Sequence, residues 1–152
     1  MIGWANGVGI ILEYTTIYTY EQVGKNERAN RTILNAVRAM LHDSELPAEF
    51  WEFAADFVVF LHNRTWSPRL GKTLYEEWFN KKPDMSNVKV FGCIVFVYNS
   101  TEPSTQHKLM PRAWKGIYVG CGGSGMKIWD PINKRLVISN HVKVEENSKG
   151  AD

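Results

Sequence analysis

The residue types able to act on a phosphate lie close together between Lys25 and His42. Glu27, Arg31, Asn35, Arg38 and His42 recur at i, i+4, i+8, i+11 and i+15, a spacing that puts them on one stripe of an α-helix. Such a helix presents one carboxylate, a ligand for hard cations, beside two arginines whose planar forks bond phosphate oxygens without reading sequence. Lys25 and Arg28 add positive charge at the same end. One carboxylate is too few for metal-assisted phosphoryl transfer, because ions held about 3.5–4 Å apart need several converging acids to offset their charge. Mg²⁺ also asks for near-octahedral oxygen ligation. No Asp occurs among residues 1–42, and the other acids there are Glu13 and Glu21. The plain structural role for Glu27 is an early-helix acid favoured by the helix dipole and paired with Arg31 at i+4.

The elements that must position these residues follow from periodicity. The β-branched run Gly9–Thr16 reads as a strand in need of a sheet, with Glu13 on its solvent face. From Asn26 the period turns helical, with Ile33, Val37, Met40 and Leu41 as the apolar face. Asp43 or Ser44 is expected to cap a second helix, with Pro47 in its first turn, running to about Asn63. Phe50, Phe53, Ala54, Phe57, Val58 and Leu61 form its core face, and Glu45, Glu49, Glu52 and Asp56 a solvated acidic one. Arg64–Lys72 reads as a loop, and Thr73–Glu76 as a capping box opening a third helix that stops before Pro83.

After Pro83 the pattern becomes β. Val88–Tyr98, Lys115–Cys121, Met126–Asp130 and Leu136–Val144 are short apolar or alternating runs, with turns at Gly122–Gly125 and Pro131–Lys134. Strands of this size at this spacing predict a small barrel. Residues 1–87 hold nine Lys/Arg against eleven Asp/Glu, whereas residues 88–146 hold eight against four. A basic C-terminal module of this kind suits nucleic-acid contact, with Lys108, Arg112 and Lys115 as candidate phosphate contacts. Lys127 belongs to the same set, with Trp114 and Trp129 as stacking partners or, more plainly, as packing residues.

Cys93 and Cys121 lack a CxxC partner, and the histidines lack metal-ligand spacing, so buried reduced thiols are expected rather than a disulfide or zinc site. The glycine run 122–125 has no GxxxxGK[ST] order, and no nucleophile elbow occurs. Neither a secretory leader nor a stretch of roughly 18 apolar residues is evident, which predicts a soluble intracellular chain with no membrane partner.

The stretch Tyr18–Thr32 around Glu27 resembles the last catalytic motif of copia-type retrotransposon integrases. Lys89-Val90-Phe91-Gly92-Cys93, the run Lys108–Gly120, and Lys127-Ile128-Trp129-Asp130-Pro131 resemble the SH3-like module that follows the integrase core in those polyproteins. The resemblance implies an α+β chain. Residues 1–84 would be the C-terminal portion of an RNase H-like core, residues 85–146 an SH3-like β-barrel and residues 147–152 a tail.

It also implies Glu27 as one member of a catalytic triad whose two aspartates would fall before Met1. Mg²⁺ or Mn²⁺ would be the family's cofactor, with none bound by this segment alone. Lys25, Arg28, Arg31 and Arg38 would lie near DNA; the partners implied are DNA and further integrase chains of the same element, and the setting nuclear. Ile17, Tyr20 and Val23 stand where the family pattern has Pro, Pro and Asn, and Leu74 where Pro is usual after Thr73. The expected function is that of an integrase segment that binds nucleic acid without autonomous catalysis. The alternatives are a protein-interaction module built on the barrel and a half-site that completes catalysis with another chain.

Overall fold

The computed structural model describes residues 20–98, 113–123 and 125–150, with the backbone alone at residues 20–23 and 25. The strand expected at 9–16 lies outside the described residues. The chain divides into two compact units, Met1–Thr32 and Ile33–Asp152. Helix α1, Tyr20–Ser44, starts six residues before the periodicity placed it, in the first unit, and ends in the second. In the second unit its apolar face is the one expected: Val37 is buried, and Ile33, Met40 and Leu41 pack against the core.

The end of α1 corrects the capping expectation. Ser44 closes α1, donating its hydroxyl to the Leu41 carbonyl at 3.1 Å, and Glu45 turns the chain with φ 58°. The second helical segment opens as a 3₁₀ turn, Ala48–Phe50, with Pro47 at its N-cap and no side-chain cap bond. Proline holds φ near −65° and has no N–H to satisfy, which suits that position. Helix α2 then runs Trp51–Arg64, burying Ala54, Phe57 and Val58.

The predicted loop after α2 is a minimal hairpin, β1 (Trp66–Ser67) paired antiparallel with β2 (Lys72–Thr73). Ser67 carbonyl accepts from the N–H groups of Leu70 and Gly71, and Gly71 has φ 66°, so the Pro68–Gly71 chemistry read as loop makes a turn tight enough to pair its flanks. Helix α3, Leu74–Phe79, carries the expected capping box: Thr73 Oγ1 accepts from Glu76 N–H at 3.0 Å and Glu76 Oε2 from Thr73 N–H at 2.9 Å. It stops at Asn80, in the left-handed conformation.

Five strands follow: β3 Cys93–Tyr98, β4 Ala113–Gly122, β5 Gly125–Asp130, β6 Arg135–Ser139 and β7 Val142–Lys149. They form one antiparallel sheet in the order β6-β5-β4-β3-β7. The run Leu136–Val144 is therefore two strands on opposite edges. The break falls where His141 N–H donates to Ser139 Oγ at 3.1 Å, releasing the chain from β5 so that it can cross to β3. Strand β3 starts later than Val88 because Gly92, at φ 80°, turns the chain, and Cys93 N–H bonds the Val90 carbonyl.

Helices and sheet share their core. Val95, Val97, Ile117, Tyr118 and Ile128 of the strands join Val37, Leu46, Ala54 and Phe57 in one buried cluster. Phe57 stacks on Phe91 with centroids 6.0 Å apart and meets Tyr118 edge-on at 5.7 Å.

Candidate nucleic-acid interface

Glu27, Arg28 and Arg31 are exposed on the first part of α1. Thr32 Oγ1 donates to the Arg28 carbonyl at 2.9 Å, a contact to the backbone and not to the guanidinium. Among the described residues the Glu27–Arg31 ion pair expected from spacing is not formed, nor does either arginine meet another carboxylate. An exposed i,i+4 pair is worth only about 0.3–0.5 kcal/mol, too little to fix two long side chains. In the second unit, exposed Arg38 donates from Nη1 to Asn35 Oδ1 at 3.2 Å. The side chain of Lys25, together with Lys108 and Arg112, lies outside the described residues. Glu27 stands apart from any metal cluster: among the described residues no three His, Cys, Asp or Glu side chains converge.

On the sheet, Lys115 is exposed in β4 directly opposite Phe96 of β3, and Phe96 faces Lys143 of β7 on its other side. Facing residues in a ladder share one side of the sheet. Lys143, Phe96 and Lys115 therefore form a transverse row, cation, ring, cation. Two residues along β3 on that same side lies Tyr98, 49% exposed and opposite Ala113. Among the described residues neither lysine meets a carboxylate.

The other candidate cation of the sheet is committed elsewhere. Lys127 pairs with Asp56 of α2 at 2.5 Å, and Lys149 with Glu45 at 2.6 Å. The acidic positions are thus not purely solvated: Asp56 in the middle of α2 and Glu45, ahead of the 3₁₀ turn, each meet a lysine of the sheet. Glu45's carboxyl is held below its usual range by the hydrogen bond and then the charge of Lys149. Trp129 is a packing residue, with ring centroids 5.7 Å from Phe50 and 5.8 Å from Phe53, and half-buried Trp114 lies against the core.

The thiols are free and buried, as spacing suggested. Burial pushes Cys93 up to about 11 and raises Cys121. Tyr118 Oη donates to the Asn87 carbonyl at 2.9 Å, accepts from Lys89 N–H at 3.3 Å and lies 3.0 Å from Cys121 Sγ. Its phenol too is raised, chiefly by burial. This network ties the connection at 87–89 to β4 and offers no nucleophile.

Sequence reasoning missed Phe96, Tyr98 and Lys143 as one surface. Their alternation was visible, but only the registers β3–β4 and β3–β7 bring them together, and the second joins residues from the first and last strands of the sheet. Among the described residues no helix is long and apolar enough to cross a membrane.

Comparison with known proteins agrees with the sheet and extends beyond it. Residues 93–152 match the family described as retroviral polymerase SH3-like domain. Over 142 residues, 91% of the chain, it is 37% identical to the retrovirus-related Pol polyprotein from transposon TNT 1-94 of Nicotiana tabacum, covering 10% of that protein. Over 133 residues, 86% of the chain, it is 29% identical to the retrovirus-related Pol polyprotein from transposon RE1 of Arabidopsis thaliana, covering 9% of it. The chain spans about a tenth of the length of these curated relatives. With a similarity that runs through the helices as well as the sheet, the chain carries a retroviral polymerase SH3-like domain and is homologous to a segment of plant retrovirus-related Pol polyproteins from copia-type transposons.

Proposed function

We propose that this chain is the DNA-holding segment of a copia-type integrase: residues 1–84 the end of the RNase H-like core, residues 85–146 the SH3-like barrel. The observation that carries the reading is which exposed cations of the described residues lack a carboxylate partner. Arg28, Arg31, Arg38 and Lys115 are exposed and, among the described residues, meet no carboxylate, while Lys72, Lys89, Lys127 and Lys149 each do. Arginines on an exposed helix suit a phosphate backbone, which is bound through charge and without regard to sequence.

Glu27 supplies a single oxygen ligand pair. The donor set of the described residues does not fit a two-metal centre, so no catalytic step through Mg²⁺ or Mn²⁺ is assigned to them. DNA strand transfer would require carboxylates from other regions of the polyprotein or another integrase chain.

Anisotropy titration of a labelled DNA duplex with the full chain and with the Arg28→Ala/Arg31→Ala/Arg38→Ala variant tests this. Loss of at least tenfold in affinity, with circular dichroism unchanged, is expected. Equal binding by both proteins would overturn the assignment of the helix.

A further inference from the structure

We infer that the face of the sheet formed by Phe96, Tyr98, Lys115 and Lys143 is a binding platform for single-stranded nucleic acid. It rests on the nucleic-acid reading of the chain but uses a different surface from the arginines of α1. Phe96 is half-buried and Tyr98 is 49% exposed on the same side. Lys143 and Lys115 flank Phe96 from the two adjacent strands. With strands spaced about 4.7–4.9 Å, the two lysine backbones stand roughly 10 Å apart across the ring. This is the composition of a stacking platform: aromatic surfaces for bases, with cations on either side to follow the phosphates.

Spacing along β3 selects single strands over duplex. Residues two apart in a strand are separated by about 6.6–6.8 Å. Stacked bases in a duplex rise about 3.4 Å per step, and their faces are covered by neighbouring pairs. Two rings at twice that rise cannot stack on successive duplex bases. They suit bases that have been unstacked and spread, as sequence-tolerant single-strand binders require.

The flanks of the row agree. At one end Glu145 of β7, exposed and opposite Ile94, places a carboxylate that repels a polyanion. At the other end Tyr98 opens into a depression of about 440 Å³ lined by Tyr98, Asn140, His141 and Val142. Exposed His141 stands beside Tyr98 in this depression. Its floor is pinned, because Tyr98 N–H donates to the His141 carbonyl at 3.0 Å. A strand would therefore track from Phe96 toward Tyr98, away from Glu145.

The test is binding of a short fluorescein-labelled oligothymidylate to the full chain, beside a duplex of equal length. Tyr98→Ala alters an exposed ring at the strand end and should leave the fold intact. It is expected to weaken oligothymidylate binding about five- to hundred-fold, the range for loss of one stacked base. Lys143→Gln should also weaken it and flatten its salt dependence, and both variants should leave duplex affinity within about twofold of the parent.

Unchanged oligothymidylate binding in both variants would overturn the platform. Equal weakening of duplex and single strand would overturn its preference for single strands. If the arginine variant of α1 leaves duplex binding untouched while Tyr98→Ala still releases the oligothymidylate, the α1 assignment fails and the platform stands.

Discussion

At Asp130 four donors converge on one buried carboxylate. Ile132 N–H and Asn133 N–H reach Oδ1 at 3.1 Å, and Asn133 Nδ2 and Arg135 Nε reach Oδ2 at 2.7 and 3.4 Å. Burial alone would push this carboxyl up. The side-chain and backbone bonds of Asn133, then Ile132 and Arg135, outweigh it and hold the group below its usual range. A depressed folded value stabilises the fold above the unfolded value of about 3.9, and that contribution disappears as pH falls through the folded value. Asp130→Ala is expected to cost about 1.5–3 kcal/mol in urea unfolding at neutral pH, the range for hydrogen bonds to a charged group. The gap from the parent should narrow in acid below about pH 4. Glu27 is the opposite case, an exposed acid on which no ligand cluster converges among the described residues. Removing its charge as Glu27→Gln should leave duplex affinity unchanged or slightly raised, and the chain with Mn²⁺ should give no strand-transfer product in either form. Product from the parent alone, lost on Glu27→Gln, would show that Glu27 acts in a complete site. For the buried thiols, Cys93 at about 11 and the raised Cys121 should resist a disulfide reagent at pH 8 and react fully only after unfolding.

Among the elements, the close approach of the end of α1 to the turn before β3 depends on one glycine. Gly92 has φ 80°, and a Cβ there would meet Ser44 Cβ at 2.5 Å. Gly92→Ala therefore combines left-handed strain with a clash against a buried helix end. A loss of about 1–3 kcal/mol is expected, read as a lowered melting temperature. The capping box of α3 was fully legible in Thr73-Leu74-Tyr75-Glu76, since it depends on residues three apart. The end of α1 was not. Ser44 and Asp43 have the composition of N-caps, but the left-handed Glu45 and the proline at 47 put the chain break after them, and the packing of Ser44 on Gly92 is a contact over 48 positions. The division of Leu136–Val144 into two strands was equally hidden. The polar run Ser139-Asn140-His141 interrupts the alternation, but only the pairing of β7 with β3 puts the halves on opposite edges.

For the whole molecule, the same distinction governs the candidate site. Charge along the sequence identified a basic second half and the arginines of α1, and motif order identified the family. Which lysines are engaged, and which stand beside an aromatic ring, depended on the fold: Lys127 meets Asp56 71 positions away, whereas Lys115 meets Phe96. The proposed role of the chain is to hold nucleic acid through charge, with catalysis requiring carboxylates beyond the described residues. The most direct measurement is duplex affinity of the full chain as salt is raised from about 50 to 200 mM. Log affinity is expected to fall linearly with log salt, by about 0.9 for each phosphate neutralised. An affinity that does not change with salt, or no binding at the low-salt end, would contradict it.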